Sequence, residues 1–213
     1  MPQRAGPVAP AGYRFILLGL LLALGGWWLS PWISGVGICC TLFFLYFFRD
    51  PERPIPSDPQ LILAPADGRV VAVGRGPEVN WQGRPAQKLS IFMNLFDVHV
   101  NRAPVAGRIV AKQYQPGRFL AADRPEAPQQ NEQLVWQLLS SDGTEVTLIQ
   151  IAGLLARRIV SYVNEGEQVE RGERIGLICF GSRVDLYLPP SWRLEVQPGQ
   201  KVKAGSTIIG RRA

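Results

Sequence analysis

The sequence predicts a mainly β domain behind an N-terminal hydrophobic helical hairpin. Three observations predict it. Phe15 to Leu29 and Pro31 to Phe48 carry no charge, and Arg14 and Arg49 bracket them. After Pro59 come short β-branched stretches punctuated by Gly and Pro, and none shows a helical period. Two sequence repeats, both glycine-bearing, recur within that β-rich part.

The hairpin comes first. A helix crossing about 30 Å of hydrocarbon needs about 20 apolar residues. Each run is near the short end, giving helices over about 14–30 and 32–48. Ser30-Pro31 breaks them, and Trp27, Trp28 and Trp32 flank the break as interfacial residues do. Arg4 and Arg14 precede the hairpin, Arg49 and Arg53 follow it, and the turn is uncharged. The positive-inside rule then places both ends, and the domain, on the cytoplasmic side of an inner membrane. A cleaved signal peptide fits less well, because a second apolar run follows the first. Residues 1–49 are thus a membrane anchor, 50–60 a stiff Pro-rich linker, and 61–213 a β-rich domain.

Strands are expected at Gly68–Val73, Lys88–Met93, Val98–Asn101, Gly107–Gln113, Leu134–Leu139, Glu145–Ile151, Arg158–Val163, Arg174–Cys179, Val184–Leu188 and Ser206–Ile209. The polar segment Arg118 to Glu132 reads as a long loop. Ala64 to Ala72 repeats as Ala103 to Ala111. Gly166-x-x-Val169-x-x-Gly172-x-x-Ile175 repeats as Gly199-x-x-Val202-x-x-Gly205-x-x-Ile208. The glycines suit positive-φ turns, and each Val or Ile is expected to face a core. This pattern resembles the barrel-sandwich hybrid of biotinyl and lipoyl carrier domains. The Met-Lys-Met tip that carries their cofactor is missing, since the methionines are Met1 and Met93.

Charge and composition remove several function classes. The net charge is +6, but no Lys/Arg block or aromatic-basic interleaving points to nucleic acid. Beside an anchor, a basic balance suits anionic headgroups. Three cysteines and one histidine give no disulfide framework and no metal site. A serine hydrolase is a poor fit without a Gly-x-Ser-x-Gly elbow.

Five separated motifs then occur in order: Phe47-Phe48-Arg49-Asp50-Pro51, Ala64-Pro65-Ala66-Asp67-Gly68, Phe96-Asp97-Val98-His99-Val100-Asn101-Arg102, Gln150-Ile151-Ala152-Gly153 leading to Ala156-Arg157-Arg158-Ile159-Val160, and Phe180-Gly181-Ser182-Arg183-Val184-Asp185. Together they resemble the phosphatidylserine decarboxylase family, in its short proenzyme type.

The resemblance implies self-cleavage between Gly181 and Ser182. Ser182 Oγ would attack the Gly181 carbonyl, and elimination and hydrolysis would leave a covalent pyruvoyl group at position 182. The long and short chains would remain as a heterodimer, and the family suggests a homodimer of these. The pyruvoyl carbonyl would take the substrate's amine and act as electron sink for loss of CO₂. The substrate would be phosphatidylserine in the membrane and the product phosphatidylethanolamine. Glycine at 181 has no side chain to obstruct attack and reaches strained backbone geometry. His99 is the expected proton shuttle, and Asp67 would orient it or share the proton transfers. The second repeat has Ala106 where the first has Asp67, so the fold itself does not call for an acid there. Arg102, Arg157 and Arg158 would bind the lipid phosphodiester or stand as solvated strand charges. Asp97 and Asp185 read as structural. Longer relatives carry a second histidine where Arg102 stands, so here one histidine would serve both phases or share them with Asp67 and solvent. Two other readings are a membrane-anchored non-catalytic adaptor of biotinyl/lipoyl type, and a decarboxylase of another serine phospholipid.

Overall fold

The computed structural model describes residues 6–75, 85–122, 124, 126–154 and 158–212. It divides into two compact units, residues 1–52 and 53–213.

The first unit is the helical pair, α1 (Tyr13–Leu29) and α2 (Pro31–Phe47), one residue from the expected bounds. Ser30 is extended and its hydroxyl accepts from the Trp32 amide at 3.3 Å, while Pro31 occupies the first helical position. Both features favour a helix start at this point. The helices approach closely because small residues face each other. A Cβ on Gly19 would lie 2.6 Å from the Thr41 hydroxyl, on Gly26 2.5 Å from the Ser34 amide, and on Gly37 2.3 Å from the Ala23 amide. Such small-residue contacts are how apolar helices pair when lipid competes for their outer faces. Thr41 and Ser34 return their hydroxyls to the carbonyls of Gly37 and Ala23 at 2.8 and 3.0 Å. Leucines point outward, and Trp27, Trp28 and Trp32 at the turn are 77%, 88% and 85% exposed. The stretch Pro10–Leu29 is long and apolar enough to cross a membrane, and Pro31–Phe47 is a shorter apolar helix. The two ends of the hairpin meet, with the Ala9 amide on the Phe48 carbonyl and the Asp50 amide on the Pro7 carbonyl.

The second unit is mainly β. In chain order the strands are β1 (Leu61–Leu63), β2 (Gly68–Arg75), β3 (Gln87–Met93), β4 (Val100–Arg102), β5 (Gly107–Gln115), β6 (Gln133–Ser140), β7 (Glu145–Ala152), β8 (Ile159–Ser161), β9 (Gln168–Val169), β10 (Arg174–Ile178), β11 (Ser182–Leu188), β12 (Arg193–Leu194), β13 (Lys201–Val202) and β14 (Ile208–Arg211). A short helix, α3 (Ala127–Gln130), interrupts the expected loop. The pairings are antiparallel. They give a large sheet ordered β13-β2-β3-β11-β7-β6-β5-β9 and two small ones, β1-β14-β12 and β4-β10-β8. The core collects Ile62, Leu89, Ile91, Trp136, Leu148, Ile175, Val184, Leu186 and Ile209 from all three sheets.

The repeats are a pseudo-twofold relation. The Leu63 amide bonds the Pro104 carbonyl, and the Arg102 amide bonds the Pro65 carbonyl. Gly205 donates to Ala64 and Gly172 to Ala103; Gly199 donates to Val70 and Gly166 to Ile109. Gly166, Gly172, Gly199 and Gly205 all have positive φ, as their turns require. The matching strands β2 and β5 even bulge at the same repeat position, between Val70 and Ala72 and between Ile109 and Ala111. One expectation fails. Ile208 is 37% exposed and Ile209 is buried instead. The β1–β14 register slips between Ile62 and Leu63, so Ile208 pairs Leu63 while Gly210 pairs Ile62, turning Ile209 inward.

The segment expected as a linker is laid on the β domain from Arg53 onward. The Arg171 guanidinium donates to the carbonyls of Pro56, Asp58 and Leu61, and Ile55 fills the space where Gly172 lacks a side chain.

Candidate active site

The chain leaves one sheet and enters another at the Phe180-Gly181-Ser182 motif. Strand β10 belongs to the small sheet with β4 and β8, and β11 runs through the large sheet between β3 and β7. The crossing takes two residues in succession with left-handed backbone, Phe180 at φ 59° and Gly181 at φ 60°. For Phe180 this conformation is strained by about 1–3 kcal/mol. A Cβ on Gly181 would meet nothing within 4 Å. The positive φ of Gly181 is a conformation that glycine adopts without strain.

Ser182 opens β11, paired with Met93 on one side and Ala152 on the other. It is fully buried, and its Oγ has no hydrogen-bond partner among the described residues. A buried hydroxyl left unpaired costs about 1–3 kcal/mol. Strand β11 is buried along its whole length because both faces are covered. Val184, Leu186 and Leu188 join the core. On the other face Arg183 donates to Asp185 at 2.6 Å and to the Ser90 hydroxyl at 2.9 Å, and Lys88 lies 3.0 Å from Asp185. Asp185 is thus held between Arg183 and Lys88.

His99 is fully buried just before β4. The Gly181 amide donates to its Nε2 at 3.3 Å. An amide N–H can only donate, so Nε2 accepts and Nδ1 donates to the Asp97 carbonyl at 2.9 Å. The Asp97 side chain itself turns back onto the Asn94 amide. The Asp97 backbone thus holds the Nδ1 side of the ring.

Asp67 is buried beside this region. Its carboxylate accepts from Arg53 and from the Ala204 amide, each at 2.8 Å. Burial pushes the Asp67 carboxyl above the usual carboxylate range. The Ala204 amide and the Arg53 charge pull it back, and the charge of Asp97 pushes it further up. From the sequence Arg53 is counted only among the charges that follow the hairpin. Its place in a Pro-rich stretch read as a spacer hid it.

The arginines separate. Arg102 is buried, and its Nη1 donates to the Gly172 carbonyl at 3.0 Å; it is no solvated strand charge. Its stem occupies the space beside Gly205. Arg158 is exposed, and its carbonyl accepts from the Cys179 amide at 3.1 Å, which sets it beside the turn. Arg157 lies outside the described residues.

Two contributors to the site escaped the sequence reading. A Cβ on Gly153 would lie 2.2 Å from the Gly181 carbonyl oxygen and 3.3 Å from the Ala122 Cβ, so this glycine makes room for that carbonyl. Asn131 is buried and bonds Ala152, the partner of Ser182. The motif Gln150 to Gly153 was a signal for the first; nothing marked Asn131. Among the described residues no cluster of His, Cys, Asp and Glu could hold a metal ion.

What this arrangement can do is activate a serine against its own preceding peptide bond. A buried serine hydroxyl, an imidazole nitrogen on the adjoining Gly181 amide and a strained turn are the features such chemistry draws on.

Comparison with known proteins converges on one group. The family model described as phosphatidylserine decarboxylase matches residues 40–210. A phosphatidylserine decarboxylase proenzyme of Solibacter usitatus is 50% identical over 200 residues, spanning 94% of each chain. One of Cupriavidus pinatubonensis is 47% identical over 95% of this chain and 94% of its own. One of Desulfotalea psychrophila is 42% identical over 99% of both.

Proposed function

Since this chain belongs to the phosphatidylserine decarboxylase family, we propose that it matures by cutting itself before Ser182 and then decarboxylates phosphatidylserine to phosphatidylethanolamine. The observation that carries this reading is the buried, unpartnered Ser182 hydroxyl behind a left-handed Phe180-Gly181 turn whose amide engages the chain's single histidine. The adaptor alternative gives these residues no task.

In the first phase His99 takes the Ser182 Oγ proton as the oxygen adds to the Gly181 carbonyl. The carbon–nitrogen bond breaks, the serine nitrogen is protonated, and an ester joins the two chains. Loss of the residue 182 α-proton expels the Gly181 carboxylate, and hydrolysis of the resulting enamine releases ammonia. The orphaned Oγ and the enclosed position at the head of β11 fit a pyruvoyl group formed there. When formed, that group supplies an electrophilic carbonyl for the substrate amine and a sink for the electrons freed with CO₂.

The other residues bind, orient and move protons. His99 Nε2, beside the Gly181 amide, holds the proton that replaces the lost carboxylate. Asp67 shares in the proton transfers from its buried position. Arg158, exposed beside the turn, meets the headgroup phosphodiester together with Arg157, and Arg102 braces the site from within. The apolar hairpin keeps the domain at an inner membrane, on the cytoplasmic side, as the flanking Arg14 and Arg49 favour. The long and short chains stay together as a heterodimer.

Denaturing gels and intact mass of the purified protein test this. Two chains divided at Gly181–Ser182, the smaller with a blocked N-terminus, are expected, along with CO₂ release from phosphatidylserine vesicles. A single uncut chain in active preparations would overturn it.

A further inference from the structure

We propose that Asn131 is a positioning residue for self-cleavage, locking in place both elements that flank the Gly181–Ser182 bond. This rests on the cleavage reading above. Asn131 is 2% exposed and lies between α3 and β6. Its one carboxamide makes three bonds. Nδ2 donates to the Ala152 carbonyl at 2.7 Å and the Leu120 carbonyl at 2.8 Å, and Oδ1 accepts from the Leu120 amide at 2.9 Å. The main chain around it is equally tied. The Ala152 amide bonds the Glu132 carbonyl at 2.9 Å, and Arg118 exchanges backbone bonds with Gln130 and Glu132. Gly117 passes so close that a Cβ would lie 2.4 Å from the Asn131 carbonyl carbon.

The geometry leads from this carboxamide to the reacting atoms in two short paths. Ala152 is the ladder partner of Ser182, and the next residue, Gly153, abuts the Gly181 carbonyl oxygen. Leu120 is two residues from Ala122, which is buried against the same spot. The strand end and the loop therefore wall the carbonyl that Ser182 attacks, and both are fastened to Asn131. The Ser182 hydroxyl has no partner of its own among the described residues. Its alignment must come from the backbone frame. Reacting atoms need an approach of about 3–3.5 Å, and a misplacement of about 1 Å costs about 100-fold.

The test uses the full chain carrying Asn131→Ala or Asn131→Asp, with the short chain's appearance followed on denaturing gels. Folding is checked by melting each variant in a Ser182→Ala background. Asn131→Ala is expected to fold and to cleave about 100-fold more slowly. Neutral hydroxylamine cuts esters and leaves amides whole, so it should release no fragment from the stalled chain, because the block precedes ester formation. Asn131→Asp keeps the acceptor for Leu120 but turns a carboxylate toward two carbonyls. Its cleavage should be slow at neutral pH and recover, relative to the parent, as acid restores a donor. Cleavage of folded Asn131→Ala at close to the parent rate, or an accumulating hydroxylamine-labile ester, overturns the proposal. Should Asn131→Ala fail to fold, Asn131→Asp decides: a parent-like rate at neutral pH overturns it, and acid recovery supports it. A parent chain that stays whole sinks the cleavage reading and this inference with it.

Discussion

The amide of Gly181 donates to Nε2 of His99 at 3.3 Å, so the one imidazole of the chain is held one peptide unit before the Gly181–Ser182 bond. Replacing His99 with Ala should leave a folded, uncut chain, since the ring makes its described bonds to backbone alone. The loss expected for a missing general base is about 10²–10⁴-fold in cleavage rate. A gel time course measures it, and added imidazole should restore part of the rate. Undiminished cleavage would remove His99 from the chemistry.

The Ser182 hydroxyl is a burden on the uncut fold. In a His99→Ala chain, which does not mature, adding Ser182→Ala should raise stability by about 1 kcal/mol, because the unpaired oxygen disappears and the small volume remains filled. Denaturant melts of the single and double variants make the comparison. An equal or lower stability of the double variant would show that the oxygen is satisfied in solution.

Two glycines should respond very differently to alanine. Gly181 at φ 60° has open space at its Cβ, so Gly181→Ala should cost only the left-handed conformation, about 1–2 kcal/mol. Gly68 at φ 146° has the Phe92 carbonyl oxygen 2.2 Å from where a Cβ would stand. Gly68→Ala should cost more than about 3 kcal/mol, because the β2–β3 ladder must move apart. Melting in a Ser182→Ala background reads both.

The raised pKa of Asp67 sets a pH dependence. Its charged form is disfavoured in the fold by burial. Ionisation therefore costs stability: the cost is absent below the unfolded value and grows as pH rises through the higher folded one. In an uncleavable Ser182→Ala chain, stability should show a descending component as pH rises above about 4, and Asp67→Asn should remove it. Identical slopes for the two chains would mean that Arg53 fully offsets the burial.

Much of this architecture was readable from residues alone, for identifiable reasons. The helical pair announced itself through charge-free runs and Ser30-Pro31. The ten longer strands carried β-branched residues in runs long enough to register. The pieces β1, β9, β12 and β13 did not; β9, β12 and β13 are two residues each and show no alternation, and β1 is the three-residue run Leu61–Leu63. The front of β11 was missed because Ser182 and Arg183 are polar, and only a buried counter-charge at Asp185 makes Arg183 tolerable inside. At the site, Ser182 and His99 stood out by motif. Asn131 and Arg53 did not, because their meaning lies in partners far along the chain: Ala152 for one, Asp67 for the other. The repeats showed the pseudo-twofold but could not show the register slip that exposes Ile208.

Consider finally where β11 sits. Ser182–Leu188 pairs with β3 along one edge, and Ser182–Tyr187 pairs with β7 along the other. Downstream, β13 pairs β2 and β14 pairs β1. A break before Ser182 would sever the covalent thread while the short piece stays woven into the fabric at every later crossing. Its new ends would lie at the Phe180-Gly181 turn, where the chain passes from the small sheet to the large one. It also makes the protein a device that is armed once. A short piece stripped out by denaturant would have to find a central slot between two strands already drawn together, and maturation could not be repeated on the same molecule.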